Sequence, residues 1–321
     1  MPNWLLDRLF DHQDQPTPRF AFQGTKNWMR ALAILADTGE LETNTLKHHY
    51  SVIQRRQPDA KADTLAYGML LMALHNAASI EAFASPNLNH YDVVRASIVA
   101  WYYSTYFACK SMVAAASGSN PQNHAKTAKI WHFDIVQKGL VVGPFRYFLN
   151  DLTPASVDNK IDTLRGQNSH DLNTRPDDND SAYGAIISYL KGTAEYARRE
   201  VEKKVRESRE FRALGVDNFQ TKAAREIRDK ALSNEKVNFL VQAIRYRGKA
   251  NYRDSIYLSY GADNSETVTE FIADLGIVAT KFVTMACHFV AKRTEKGTWK
   301  SFVEDLDVNS RFRRVVDLNE I

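Results

Sequence analysis

The sequence predicts an all-α fold, and three observations carry that prediction. First, apolar residues recur every three or four positions through long segments, as Leu65, Met69 and Met72 do. Second, no segment shows the alternation of apolar and polar residues that is typical of a half-buried strand. Third, the 321 residues include only 14 glycines and 9 prolines, which favours long helices over many turns. Since 44% of the residues are apolar, we expect a helical bundle with a sizeable core.

Helix boundaries follow from the glycines, prolines and polar runs that interrupt this spacing. Gly39 divides the first helical stretch, and the run 85–87 (Ser-Pro-Asn) ends the next helix. The helix at 90–116 is apolar on nearly every side, so it is predicted to be the central, buried one. The expected helical segments, in chain order, are 25–57 in two pieces, 60–84, 90–116, 127–139, 144–151, 181–213, 218–231, 234–260 and 267–296.

An almost wholly polar stretch at 166–181 is the best linker candidate, and a highly charged helix follows it. This composition indicates an insertion that divides a bundle into two parts. The predicted organisation is an N-terminal helical extension (1–58), the first part of the bundle (59–152), a helical insertion with a charged arm (153–232), the second part of the bundle (233–296) and a C-terminal tail (297–321).

The net charge and the cysteine content restrict the classes of function expected for this protein. A net charge of +4, from 42 basic and 38 acidic residues, permits a nucleic-acid partner without requiring one. Cys109 and Cys287 lie far apart inside apolar stretches, so we expect two buried, reduced thiols in a cytoplasmic protein. No glycine-rich phosphate loop or metal-ligand spacing occurs, so neither a cofactor nor a metal is expected. The N-terminus lacks a signal-peptide pattern, and no run of eighteen apolar residues occurs, so no membrane partner is expected.

Two segments stand out as candidates for chemistry. The first is the aromatic stretch 95–112, followed by His124, and the second is the stretch 245–254 with its basic residues Arg245, Arg247, Lys249 and Arg253. Clustered cations can neutralise phosphates, and a neighbouring tyrosine can stack on a base. The alternative for the second segment is a solvated helix face whose arginine stems cover apolar surface.

This pair of segments resembles the HEPN superfamily. The run 102–106 (Tyr-Tyr-Ser-Thr-Tyr) resembles the family's central-helix pattern, and His124 takes the place of a histidine in the following loop. The run 247–252 (Arg-Gly-Lys-Ala-Asn-Tyr) resembles the later motif R-x-x-A-D-Y, with Asn251 in place of the aspartate. The resemblance extends over about residues 60–150 and 234–295 and leaves the remaining segments unexplained.

The resemblance implies a four- or five-helix up-and-down bundle that dimerises so that two basic motifs face one cleft. Active members are ribonucleases that need no metal. In them the RNA 2′-hydroxyl attacks the neighbouring phosphate, an arginine stabilises the phosphorane and a histidine moves protons. Many members serve toxin–antitoxin or phage-defence systems.

The later motif departs from the catalytic form of the family, because Tyr252 stands where a histidine could stand. The reference pKa of a tyrosine, near 10, makes it a poor base at pH 7. Tyr252 is therefore either the motif partner of Arg247 or a residue that packs on the central helix. His124 either replaces the missing proton carrier or caps a helix. The segment 165–170 supplies the one literal R-x(4)-H match, so Arg165 and His170 form a reserve catalytic pair or lie in a flexible loop.

The function expected from these observations is an RNA-directed effector of the HEPN type, a metal-independent ribonuclease of a bacterial defence or toxin–antitoxin system. Arg247 would stabilise the phosphate, with Tyr252 as motif partner, His124 as proton carrier, and Arg245, Lys249, Asn251 and Arg253 as RNA contacts. RNA, a partner protein and a second copy of the chain are the expected partners. The alternative is a catalytically inactive helical adaptor within a multiprotein defence complex.

Overall fold

The computed structural model describes residues 18–252 and 265–321, together with Trp4 and Arg8. This part of the chain forms twelve α-helices and no strand, which confirms the predicted all-α class. The helices are α1 (Pro18–Ala36), α2 (Thr43–Tyr50), α3 (Ala60–Phe83), α4 (His90–Ser117), α5 (His124–Trp131), α6 (Pro154–Arg165), α7 (Asn179–Glu207), α8 (Arg209–Arg212), α9 (Lys222–Leu232), α10 (Phe239–Tyr252), α11 (Ser265–Arg293) and α12 (Thr298–Asn309).

Helix α4 is the central, buried helix, as its apolar composition predicts. It packs against α3 and α11, and its buried residues lie on nearly all sides. Small hydroxyl residues let α3 approach closely, because Ser104 Oγ donates to the Ala73 carbonyl at 3.0 Å and Ser111 Oγ donates to the Ala66 carbonyl at 2.7 Å. Gly118 ends α4 in the left-handed conformation (φ +69°) that glycine adopts without strain.

An aromatic cluster joins four helices of the principal core. Trp28 of α1 stacks on Tyr189 of α7 with centroids 4.1 Å apart, and its edge meets Trp101 of α4 at 6.0 Å. Tyr246 of α10 lies 4.9 Å from the Trp28 ring and 5.1 Å from the Trp101 ring. The predicted insertion 153–232 therefore includes, in the first half of α7, residues that are part of this core.

The second half of α7 extends from the principal core and forms, with α8 and α9, what we call the arm (residues 198–232), of which Val201 and Leu232 still pack with that core. The arm has a small apolar cluster of its own around Val205, Phe211 and Ala224. The Phe219 ring lies between two guanidinium groups, 4.8 Å from Arg206 and 5.5 Å from Arg228. This packing gives the arm local order without a contribution from the central helix.

Polar contacts add to the buried apolar residues of α1 in holding the described part of the N-terminal extension on the bundle. Asn27 Nδ2 donates to the Leu172 carbonyl at 2.8 Å, and Arg30 pairs with the largely buried Asp274 at 2.9 Å. Beyond α2, the guanidinium of Arg56 donates to the Ala114 carbonyl at 3.1 Å, near the end of α4. Cations at a helix C-terminus satisfy carbonyl groups that lack partners within the helix.

Two predictions of local structure are wrong. The segment 144–151 is not a helix: a 3₁₀ turn covers Gly143–Phe145, and the chain then extends so that Leu149 and Val237 exchange backbone hydrogen bonds at 2.8 and 3.0 Å. Gly143 adopts φ +62°, and this turn directs the chain away from the helical path. The C-terminal segment 297–321 is more than a tail, because it contains α12, whose Phe302 packs 4.8 Å from the Tyr67 ring.

Both cysteines and most of the apolar part of helix α11 are buried in the core. Cys109 and Cys287 are buried and unpaired, as predicted, and burial raises the pKa of both thiols. The segment Glu266–Arg293 is long and apolar enough to cross a membrane, and 67% of its apolar window is buried within the protein, as in a core helix.

Candidate functional site

Helices α4, α5 and α10 bring together the residues of both sequence motifs. The guanidinium carbon of Arg247 lies 5.1 Å from the centre of the Tyr102 ring and 5.6 Å from that of Tyr103. The Tyr102 hydroxyl lies 2.7 Å from Nδ1 of His124, whose ring is 4.4 Å from the Tyr106 ring. We call these five residues, Tyr102, Tyr103, Tyr106, His124 and Arg247, the Arg247 site.

The three tyrosines follow from the helical spacing of α4. Tyr102 and Tyr106 are one turn apart on a buried side, whereas Tyr103 is half-buried and forms the edge of the site. The ring of Tyr102 serves as a platform for the guanidinium above it, while its hydroxyl reaches the imidazole. One buried residue thus joins the cation to the histidine.

His124 is the first residue of α5, and its neighbour forms the cap. Asn123 accepts a hydrogen bond from the Lys126 amide at 2.8 Å, as a helix-capping side chain does. Thr127, one turn into α5, lies 3.4 Å from the Tyr106 hydroxyl through its own Oγ1. The imidazole of His124 is therefore not needed as the cap and is held by the tyrosines instead.

The electrostatics of the site leave the guanidinium without a counterion. In the described chain, no carboxylate lies within 4 Å of Arg247, whose Nε is buried with no hydrogen-bond partner. Burial, and then the charges of Arg247 and Lys110, lower the pKa of His124. Burial raises the pKa of Tyr102, with the charge of Arg247 opposing the rise. At neutral pH the site therefore combines a cation, a neutral imidazole and a protonated phenol.

This combination is suited to an anion that undergoes proton transfer. Because Nδ1 of His124 is engaged by Tyr102, Nε2 is the ring nitrogen that remains for a ligand. A planar guanidinium with no acidic neighbour can bind the oxygens of a phosphate. The site is a half-buried surface cluster, and none of its residues lines the two clefts of about 500 and 450 Å³ elsewhere in the described chain.

Arg245 faces the opposite way. Its Nη1 donates to Thr193 Oγ1 at 2.9 Å, and its guanidinium lies 5.2 Å from the Tyr189 ring and 5.4 Å from the Tyr196 ring. Two residues along a helix correspond to about 200° of rotation, so Arg245 and Arg247 take opposite sides of α10. The structure does not bring Arg245 to the Arg247 site.

The remaining residues of the predicted RNA contact fall outside the described part. Tyr252 is the last described residue of α10, and its side chain, like those of Lys249 and Asn251, is not described. Arg253 lies in the segment 253–264, which is outside the described residues.

The reserve pair, Arg165 and His170, occupies a different part of the molecule. Arg165 Nη2 donates to the backbone carbonyl of His170 at 3.2 Å and to the hydroxyl of Ser188. The imidazole of His170 points elsewhere: its Nε2 lies 3.5 Å from the exposed Asp180 carboxylate. Arg165 therefore fastens the loop after α6 to α7 and makes no contact with the His170 ring.

Tyr102, Tyr103, Tyr106 and Lys110 all lie in the aromatic stretch 95–112, and none of them was predicted to have a role of its own. Tyr103 forms the second ring beneath Arg247, and the Lys110 ammonium lies 5.9 Å from the Tyr106 ring. A spacing of four residues relates Tyr102, Tyr106 and Lys110, so one helical stripe on α4 would have indicated Lys110.

Comparison of the chain with models of protein families, with curated proteins and with solved structures finds no match. The resemblance to the HEPN superfamily therefore depends on the motif residues of this sequence alone.

Proposed function

We propose that the protein is an RNA-directed effector of the HEPN type, which binds RNA at the Arg247 site and cleaves it without a metal ion. The observation that supports this proposal is the junction of Arg247 and His124 through the single residue Tyr102. The two motifs are remote in sequence, and the proposal accounts for their meeting in space.

In the proposed reaction, Nε2 of neutral His124 accepts the proton of an RNA 2′-hydroxyl. The 2′-oxygen then forms a bond to the adjacent phosphorus, and the bond from phosphorus to the 5′-oxygen breaks. Arg247 stabilises the negative charge on the phosphorane. The leaving 5′-oxygen takes a proton from water, and His124 returns its proton to solvent. The products are a 2′,3′-cyclic phosphate and a 5′-hydroxyl.

The lowered pKa of His124 supports its role as the proton acceptor, because the imidazole is then unprotonated at neutral pH. Tyr102 would hold the ring with Nε2 directed outward. As parts of the same proposal, the protein acts in the cytoplasm, pairs with a second copy of itself and serves a bacterial defence or toxin–antitoxin system.

The test is cleavage of end-labelled single-stranded RNA in EDTA, with DNA of the same sequence as the control that lacks 2′-hydroxyls. We expect fragments with 2′,3′-cyclic phosphate ends and no cut DNA. Arg247→Ala should slow cleavage by about 10²–10³-fold, and His124→Gln by about 10²–10⁴-fold. Matched controls are Arg225→Ala on the exposed face of α9 and His48→Gln on the exposed face of α2, which should cut at the wild-type rate.

Binding to RNA separates the proposal from its alternative. If RNA binds but is not cut, and Arg247→Ala lowers the salt dependence of the affinity by about one phosphate contact, the site is a binding site without chemistry. If no version binds RNA, the proposed function is wrong.

The second candidate is the inactive adaptor, and the arm is the observation that favours it. The arm has its own apolar cluster and exposes Leu214, so it offers a surface separate from the principal core. Loss of a co-purifying subunit on deletion of the arm, together with absence of RNA binding, would support the adaptor.

A further inference from the structure

A cleft of about 500 Å³ opens between α2 and α6, and none of the Arg247-site residues lines it. Its volume falls in the range of cavities that hold small organic ligands. The apolar part of its lining comes from the segment 136–148, which includes the 3₁₀ turn, and from α6. These apolar residues are Val136, Val141, Val142, Phe148 and Leu164.

Two helices present polar groups to the cleft, α2 two of them and α6 one. Thr45 and His49 lie on α2, and Lys160 lies one turn before Leu164 on α6. Within the described chain, the Thr45 hydroxyl, the ring nitrogens of His49 and the Lys160 ammonium have no hydrogen-bond or ion-pair partner. These groups are thus available to a ligand.

The only carboxylate among the described lining residues is already neutralised. Glu40 accepts hydrogen bonds from Arg146 Nη1 at 2.8 Å and Nη2 at 3.3 Å, and from the Gly143 amide at 3.1 Å. With histidine counted as neutral, Lys160 carries the one charge of the lining that lacks a counterion. The cleft therefore carries a net charge of +1 over an apolar floor.

We propose that this cleft binds a small organic monoanion with a flat apolar body, such as an aromatic carboxylate. The carboxylate pairs with Lys160, and the ring covers the valines and Phe148. Thr45 and His49 supply hydrogen bonds to polar substituents on the opposite wall. Lys160 is exposed, so a neutral ligand costs its ammonium nothing and only gains no ion pair, whereas a monoanion gains one and a dianion leaves one of its charges unpaired. This site is independent of the function proposed for the Arg247 site.

The probe for the test is 2-naphthoate, compared with the uncharged isostere 2-naphthamide by calorimetry on the full chain. We expect 2-naphthoate to bind with a dissociation constant below 1 mM and at least tenfold more tightly than 2-naphthamide. Lys160→Met should weaken the naphthoate affinity about tenfold and leave the naphthamide affinity unchanged. Lys138→Met, which removes an exposed charge that does not line the cleft, should bind naphthoate as the wild type does.

Chemical-shift mapping of the wild-type protein locates the bound ring without relying on any variant. Shifts concentrated at Thr45, His49 and Lys160 support the proposal. Shifts concentrated at the Arg247 site, equal affinity of Lys160→Met and wild type, or no binding at 1 mM would each overturn it.

Discussion

Arg247 and Arg165 begin two similar sequence patterns, and the structure gives them opposite roles. Arg165 donates to a backbone carbonyl and a serine hydroxyl, so its guanidinium is already engaged in holding a loop against α7. Arg247 rests on two tyrosine rings, with no carboxylate nearby in the described chain. An arginine thus serves as a structural brace or as an available cation according to what accepts its hydrogen bonds, which sequence spacing alone does not reveal.

The largest difference that we expect between the Arg165 and Arg247 regions is the change in unfolding free energy when a glycine is replaced by alanine. A Cβ at Gly184 would lie 2.7 Å from the His170 carbonyl oxygen, so Gly184→Ala should cost about 1–3 kcal/mol of unfolding free energy by overpacking. At Gly248, next to Arg247, no described atom lies within 4 Å of such a Cβ. Gly248→Ala should therefore stabilise α10 by about 1 kcal/mol. Urea unfolding of the two variants measures these changes, and equal changes in unfolding free energy would contradict the difference in packing at the two glycines.

The second prediction concerns the arginines themselves. Arg165→Met removes the partner of the His170 carbonyl and of Ser188, so we expect a loss of about 2 kcal/mol in unfolding free energy. Arg247→Met loses only the contact with the tyrosine rings, at about 0.5–1 kcal/mol. Thermal or urea unfolding distinguishes them, and a larger loss for Arg247→Met would reverse the roles assigned here.

The third and smallest effect is on the pKa of His124. Burial is the main cause of its lowered pKa and Arg247 the next, so Arg247→Met should raise this pKa part of the way toward its ordinary value. NMR titration of the imidazole carbons measures it, with Arg165→Met as the variant that should leave the pKa of His124 unchanged.

The lowered pKa of His124 makes the stability of the folded protein depend on pH. Because the pKa of His124 is lower in the folded protein, the unfolded chain binds more protons below about pH 6.5. The stabilising contribution of neutral His124 is present above that pH and is lost as the pH falls toward the folded value. In Arg247→Met this loss on acidification should be smaller than in the wild type, and a larger loss would contradict the assignment.

The helices of the bundle could be predicted where their limits are encoded locally. Asp59 caps α3 by accepting from the Ala62 amide at 3.0 Å, Asn89 caps α4, and Gly118 ends it. The segment after Gly143 could not be predicted in this way. Its extended course depends on the pairing of Leu149 with Val237, which belongs to a remote part of the chain. Apolar residues at helical spacing were therefore a misleading indication there.

Only some members of the candidate site, and not its geometry, could be predicted from the sequence. The order of the motifs indicated Arg247 and His124, while their junction depends on how α10 packs against α4 and how α5 begins. Helical rotation alone would have separated Arg245 from Arg247, since two residues turn the helix through about 200°. Arg165 contacts the backbone of His170 and not its imidazole. The R-x(4)-H spacing therefore wrongly predicted a pair of interacting side chains.

The arm gives the molecule an electrical polarity. It contains eleven of the 42 basic and seven of the 38 acidic residues, which leaves 31 of each sign in the remainder of the chain. The remainder is therefore balanced in formal charge, and the arm carries the whole net charge of +4. Because exposed charges are largely screened beyond the Debye length of about 10 Å at 0.1 M salt, this excess acts only on charges close to the arm, and its reach grows as the salt concentration falls.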